Sequence, residues 1–185
     1  MDALAALTTR VSPVKLTEPA PSKEALGAML AAAGAAPDHG RLKPWRFIRI
    51  EGEDRTRFGE MLAQSLLRRE PEALVAKLEA ERKKALRAPL LLVAAAAISD
   101  NPKVPEIEQI VAVGAAVENL LLAAHALGYG GFWRTGPAAY DAALKRELGL
   151  AAGDAIVGFL YLGTVETPGT ARAGDSAPPL LALPD

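Results

Sequence analysis

Three short polar segments interrupt an otherwise apolar chain, and they hold the residue types able to do chemistry. They are TTRVSPVK at 8–15, PDHGRLKPW at 37–45 and GFWRTG at 131–136. Arg10 and Arg134 each offer a planar guanidinium fork suited to phosphate, and Ser12 and Thr135 add hydroxyl donors. Each segment falls where a regular element is expected to end, which is where ligand groups are usually presented. Together they predict one phosphorylated organic ligand. His39, one of only two histidines, stands in the second segment, in a cationic loop that runs directly into Trp45.

Other chemistries are excluded by what the chain lacks. There is no GxxxxGK[ST] phosphate loop, no GxGxxG opening a helix, no GxSxG elbow and no HExxH pair. With no cysteine there is no disulfide framework, thiolate nucleophile or cysteine-based metal site, and two histidines do not suggest a multi-histidine one. No metal is therefore expected. Glu106, Glu108 and Glu118 do not make a carboxylate pair, since the first two read as helix-start charge and nothing fixes any two in one cleft. His125, among Ala123, Ala124, Ala126 and Leu127, reads as a structural histidine on an apolar helix.

The elements that must position the polar segments follow from periodicity and punctuation. Residues 2–9 have a helix-compatible pattern, and the three prolines of RVSPVKLTEPAPS end it. Ser22 can cap a second helix that stops at Gly34. WRFIRI at 45–50 has the strand alternation. A charged stretch from Asp54 to about Leu86 predicts two surface helices broken near Pro71. LLLVAAAAI reads as a buried strand, 106–127 as a central helix stopped by Gly128, and GYGGFWRTG as a loop or short strand. A helix from about Pro137 to Leu148 leads to the strand AIVGFLYLG. The tail from about 164 is expected to be extended, with LLAL able to dock on another surface.

At 185 residues the chain suits one domain, 1–185, with a substantial core. A net charge of -1 offers no field for nucleic acid or an anionic membrane surface. The N-terminus lacks a secretory pattern, and the run at 88–98 falls short of the ~20 residues needed to span a bilayer, so a soluble cytoplasmic protein is expected. Alanine-rich helices bury little area per side chain, which hints at a partner subunit completing the core.

Five segments in register, RVS near the start, APDH running into PWRF, LRAPL, GFWRTG and IVGFLYLG, cover about residues 2–164. In them the chain resembles the nitroreductase family, specifically its short YdjA-like branch. The resemblance implies an α+β fold: a three-layer sandwich with a mixed, mainly antiparallel sheet flanked by helices, forming a homodimer with FMN in the subunit interface. It implies ping-pong turnover between NADH or NADPH and a small-molecule acceptor such as a nitroaromatic or quinone. Arg10, Val11 and Ser12 would lie along the ribityl phosphate, Trp133, Arg134 and Thr135 would close the same site, and His39 would reach the flavin from the partner. Because hydride transfer occurs at the flavin, no catalytic side chain is required. Relatives usually carry arginine at position 11 and often at position 35, where this chain has Val11 and Ala35. Val11 keeps a backbone N–H, and Lys15 or Lys43 could replace the missing charge. The alternative reading is a flavin-binding or cofactor-free homodimer that has lost turnover.

Overall fold

Alternation along one strand sets the architecture. β3, Leu90–Ala96, is aliphatic throughout and buried at every position. Successive side chains in a strand point to opposite faces, so such a run must be covered on both sides. Leu90, Leu92, Ala94 and Ala96 accordingly pack into one core, and Leu91 and Val93 into a second one across the sheet. The result is the three-layer arrangement. The computed structural model describes residues 1–167 and 179–181.

β3 is flanked by β2, Trp45–Glu51, and by β5, Ala155–Val165. β4, Gly130–Arg134, pairs along β5 from Gly130 opposite Gly163 to Arg134 opposite Phe159. A two-residue strand, β1 (Leu16–Thr17), meets Val165 and Thr164. Every pairing among the described residues is antiparallel, so the mainly antiparallel character expected is complete here.

One face is covered by α2, Lys23–Gly34, and α5, Glu106–Ala126. α5 is apolar on most sides because it lies between α2 and the sheet. It is long and apolar enough to cross a membrane by length and composition, but Val113, Val117 and Leu120 are fully buried in the domain, as in a core helix. α1, Ala3–Thr9, packs against α5 from outside. On the other face lie α3, Asp54–Arg69, and α6, Ala142–Glu147, with Phe58, Leu62 and Leu144 against Phe159 and Tyr161. α4, Val75–Lys84, follows the expected break near Pro71 and packs on α3.

Two expectations change. The helix expected over Pro137–Leu148 is a short 3-10 turn, Pro137–Tyr140, followed by α6. Asp141 divides them: its backbone is extended and its carboxylate accepts from the N–H groups of Ala143 (2.8 Å) and Leu144 (3.2 Å), a competition typical of Asp at helix starts. β5 continues to Val165, one residue past the expected start of the tail. The rest of the predicted extended tail falls mainly at 168–178 and 182–185, outside the described residues, while Leu180 and Leu181 are exposed.

Asp141 also gives the fold an acid-sensitive joint. Burial alone would push its carboxyl up, but hydrogen bonds from Ser65, Arg68, Leu144 and Ala143 outweigh that and hold it at about 2, below the ordinary 3.8. Arg68 donates through Nε (3.0 Å) and Nη2 (2.9 Å), and the Asp141 side chain is only 9% exposed. A depressed carboxyl stabilises the fold above its unfolded pKa and loses that contribution as pH falls from the unfolded towards the folded value. Asp141→Asn should cost about 2 kcal/mol near neutral pH, with the difference from wild type shrinking below about pH 4. Paired urea titrations at the two pH values measure it.

Candidate active site

α1 ends at Thr9 because Arg10 takes up an extended backbone, while the Arg10 N–H still bonds to Ala6 O (3.2 Å). The Thr9 hydroxyl lies 2.9 Å from His125 Nε2, tying the end of α1 to the last turn of α5. His125 thus has the structural role expected of it. Arg10 is held over α5, with Nε 3.3 Å from Glu118 Oε1 and Nη1 3.3 Å from Ser12 Oγ. Ser12 is exposed, Val11 half-buried and Pro13 buried, so the chain leaves α1 with its polar groups outward.

Trp133 reaches the same helix from the sheet. Its indole Nε1 donates to Val157 O (3.2 Å), and its ring tip lies about a van der Waals contact away from where a Cβ at Gly114 would be. Gly158 makes this placement possible, since a Cβ there would stand 2.1 Å from Trp133 Nε1 and 3.0 Å from Arg134 O. Gly114 and Glu118 are four residues apart, hence on one face of α5, so Arg10, Ser12 and Trp133 converge there.

His39 stands farther along the same helix. Its Nδ1 is 2.5 Å from Glu108 Oε2, and it borders a 390 Å³ groove with Pro37, Ile107, Val111 and Ala115. The loop is closed by Asp38, whose carboxylate accepts from Lys43 N (2.7 Å), and it places Arg41 and Lys43 at φ 54° and 50°. Non-glycine residues enter this left-handed region at a cost of order 1 kcal/mol and tend to cluster at functional sites. Ala35 is exposed as the C-cap of α2.

Arg134 is not brought to this face. Alternation along β4 puts it on the opposite side from Trp133, with its guanidinium 4.4 Å over the Phe132 ring. Thr135 borders the same rear cleft. Glu108 and Glu118, set aside in the sequence, prove to hold His39 and Arg10. No local signal announces either pairing, because each joins residues at least 69 positions apart. No group of three or more metal-ligating side chains occurs among the described residues.

The nitroreductase family profile matches residues 7–164. The chain belongs to the nitroreductase family. Among nitroreductase-family relatives, Escherichia coli (strain K12) YdjA, assigned by name to the NAD(P)H nitroreductases, is 41% identical over 164 residues, covering 89% of this chain and 88% of its own. A Haemophilus influenzae protein named for the same activity is 37% identical over 165 residues, covering 89% of each. The fold matches a nitroreductase-like protein from Bacillus cereus with a TM-score of 0.81 and 24% identity, over 97% of this chain and 92% of the other. A nitroreductase-type protein from Desulfovibrio desulfuricans, solved in complex with FMN, matches with a TM-score of 0.71 and 27% identity, over 100% of this chain and 98% of the other.

Proposed function

We propose that the protein is an FMN-dependent NAD(P)H oxidoreductase that reduces flat acceptors such as nitroaromatics or quinones. The carrying observation is the convergence of Arg10, Ser12 and Trp133 on one face of α5. A guanidinium, a hydroxyl and an indole wall suit a phosphate tail joined to a planar heterocycle. When bound, FMN would supply the hydride chemistry between a reduced nicotinamide and the acceptor. The chain's residues bind and orient. Arg10 and Ser12 would hold the phosphate end, Val11 would offer its N–H and Trp133 would wall the ring, while Arg134, the last residue of β4, and Thr135 just after it would contribute backbone groups only, their side chains lying in the rear cleft.

His39 serves the partner's flavin. Glu108, which holds His39, and Glu118, which holds Arg10, are ten residues apart, about 15 Å along the helix axis. That separation supports two half-sites supplied by two copies. Ile107 and Val111 remain 63% and 62% exposed beside His39, on the face a second α5 would cover. Val111→Glu should raise the dimer dissociation constant about 100-fold by burying an unpaired charge, and release flavin in step. Light scattering with absorption detection reads both. A cytoplasmic setting fits an enzyme that consumes reduced nicotinamide nucleotides.

The direct test is the visible spectrum of purified protein before and after adding FMN and removing the excess. Flavin bands near one equivalent per chain support the proposal. A protein that stays colourless after loading overturns it in favour of a scaffold that has lost its site, with Val11 and Ala35 the positions to restore to arginine. Steady-state lines at several acceptor concentrations should be parallel, as one shared pocket requires.

A further inference from the structure

The cleft behind the sheet has its own chemistry. A 240 Å³ cavity between α3, α4 and β4 and a 180 Å³ cavity beside β1 share three residues, Arg87, Arg134 and Tyr161. Tyr161 is only 4% exposed, yet its hydroxyl has no hydrogen-bond partner among the described residues and is not sealed from the cavity. Burial raises its pKa, opposed by the positive charges of Arg87 and Arg134 nearby. Its hydroxyl is a donor open to the cavity with no protein partner among the described residues, in a space also lined by two guanidiniums.

The surrounding charges do not neutralise those guanidiniums. Of the carboxylates at the cavity, Glu70 is held by Lys77 (2.9 Å) and Glu81 by Lys84. Arg69, Arg87 and Arg134 have no carboxylate in ion-pair contact among the described residues: Arg69 bonds to the Ser65 hydroxyl (2.6 Å), and Arg134 lies over Phe132. Thr135 adds a hydroxyl at the rim. Leu62, Leu66 and Phe159 wall one cavity, and Val14, Leu16 and Phe132 the other.

The geometry points to a second ligand site here, for a small organic phosphate whose phosphoryl group sits on Arg87, Arg134 and the Tyr161 hydroxyl. Three guanidiniums and two hydroxyls offer more donors than the two oxygens of a carboxylate can use. A phosphate monoester presents three acceptor oxygens and nearly two charges. The apolar walls take the organic part. This site lies across the sheet from Trp133 and α5, so it is separate from the proposed flavin site and does not depend on that reading.

Phenyl phosphate, titrated calorimetrically into the full-length protein as purified, tests it. Saturable binding at one site per chain is expected, with benzoate weaker. Arg87→Gln should weaken phenyl phosphate about tenfold or more, and Tyr161→Phe about threefold, since bonds to charged groups are worth more than neutral ones. Arg49→Gln, whose guanidinium pairs Glu51 at 3.3 Å on the surface, should change nothing. Flavin content should be equal in wild type and Arg87→Gln, which separates this site from the flavin site. Absence of saturable binding, binding indifferent to Arg87→Gln and Arg87→Glu, benzoate equal to phenyl phosphate, or release of flavin by the probe would each overturn the assignment.

Discussion

Arg10→Ala should lower FMN affinity about tenfold to a hundredfold, the worth of a charge-assisted hydrogen bond to phosphate. Arg134→Ala, equally cationic and equally part of the sequence motif, should stay within about threefold. The contrast rests on β4, which turns Trp133 towards α5 and Arg134 away from it. Equilibrium titration of flavin-stripped protein measures both. Glu118 sharpens the test, because its carboxylate occupies Arg10 Nε at 3.3 Å and would compete with a phosphate. Glu118→Gln should tighten FMN. Comparable losses from Arg10→Ala and Arg134→Ala would mean that the phosphate lies elsewhere.

Gly158→Ala should be among the most damaging single-methyl changes available to the chain. The added carbon would stand 2.1 Å from Trp133 Nε1, 2.5 Å from Trp133 Cδ1 and 3.0 Å from the Arg134 carbonyl. Neither a strand carbonyl nor an indole yields cheaply, and moving the ring breaks its hydrogen bond to Val157 O. Overpacking and the lost bond together cost about 2–4 kcal/mol. For a chain of this length that lowers Tm by roughly 5–15 °C. Gly27→Ala is the control of opposite sign: a Cβ there meets nothing within 4 Å, on an exposed turn of α2, and should stabilise by about 0.5–1 kcal/mol. Thermal melts with near-ultraviolet dichroism, which reports on the indole, follow both variants.

Much of this was legible in the residues, for identifiable reasons. β2 is legible from the alternation of its sequence, β3 and β5 from short apolar runs bounded by turn residues, and α5 from a long stretch apolar on most faces. β1 leaves no trace in the sequence because two residues carry no period, and the helix predicted over 137–148 is shorter because Asp141 caps from within a run of good helix formers. At the site, Arg10 and Ser12 are two residues apart and meet directly, so spacing sufficed. The partners of Arg10 and His39 were invisible, since Glu118 and Glu108 look like ordinary helix-surface charge until α5 is laid against α1 and the loop. The split between Trp133 and Arg134 needed one further fact: that GGFWR is a strand with period two, rather than a turn.

That split also governs how this gene can change in length. One codon gained or lost between Gly128 and Arg134 would invert β4, swinging the indole into the rear cleft and a guanidinium against α5. Two functions laid back to back on adjacent residues are thus locked in phase. The connection at 70–74, between α3 and α4, carries no such register, so insertions should accumulate there across descendants while β4 drifts only by substitution.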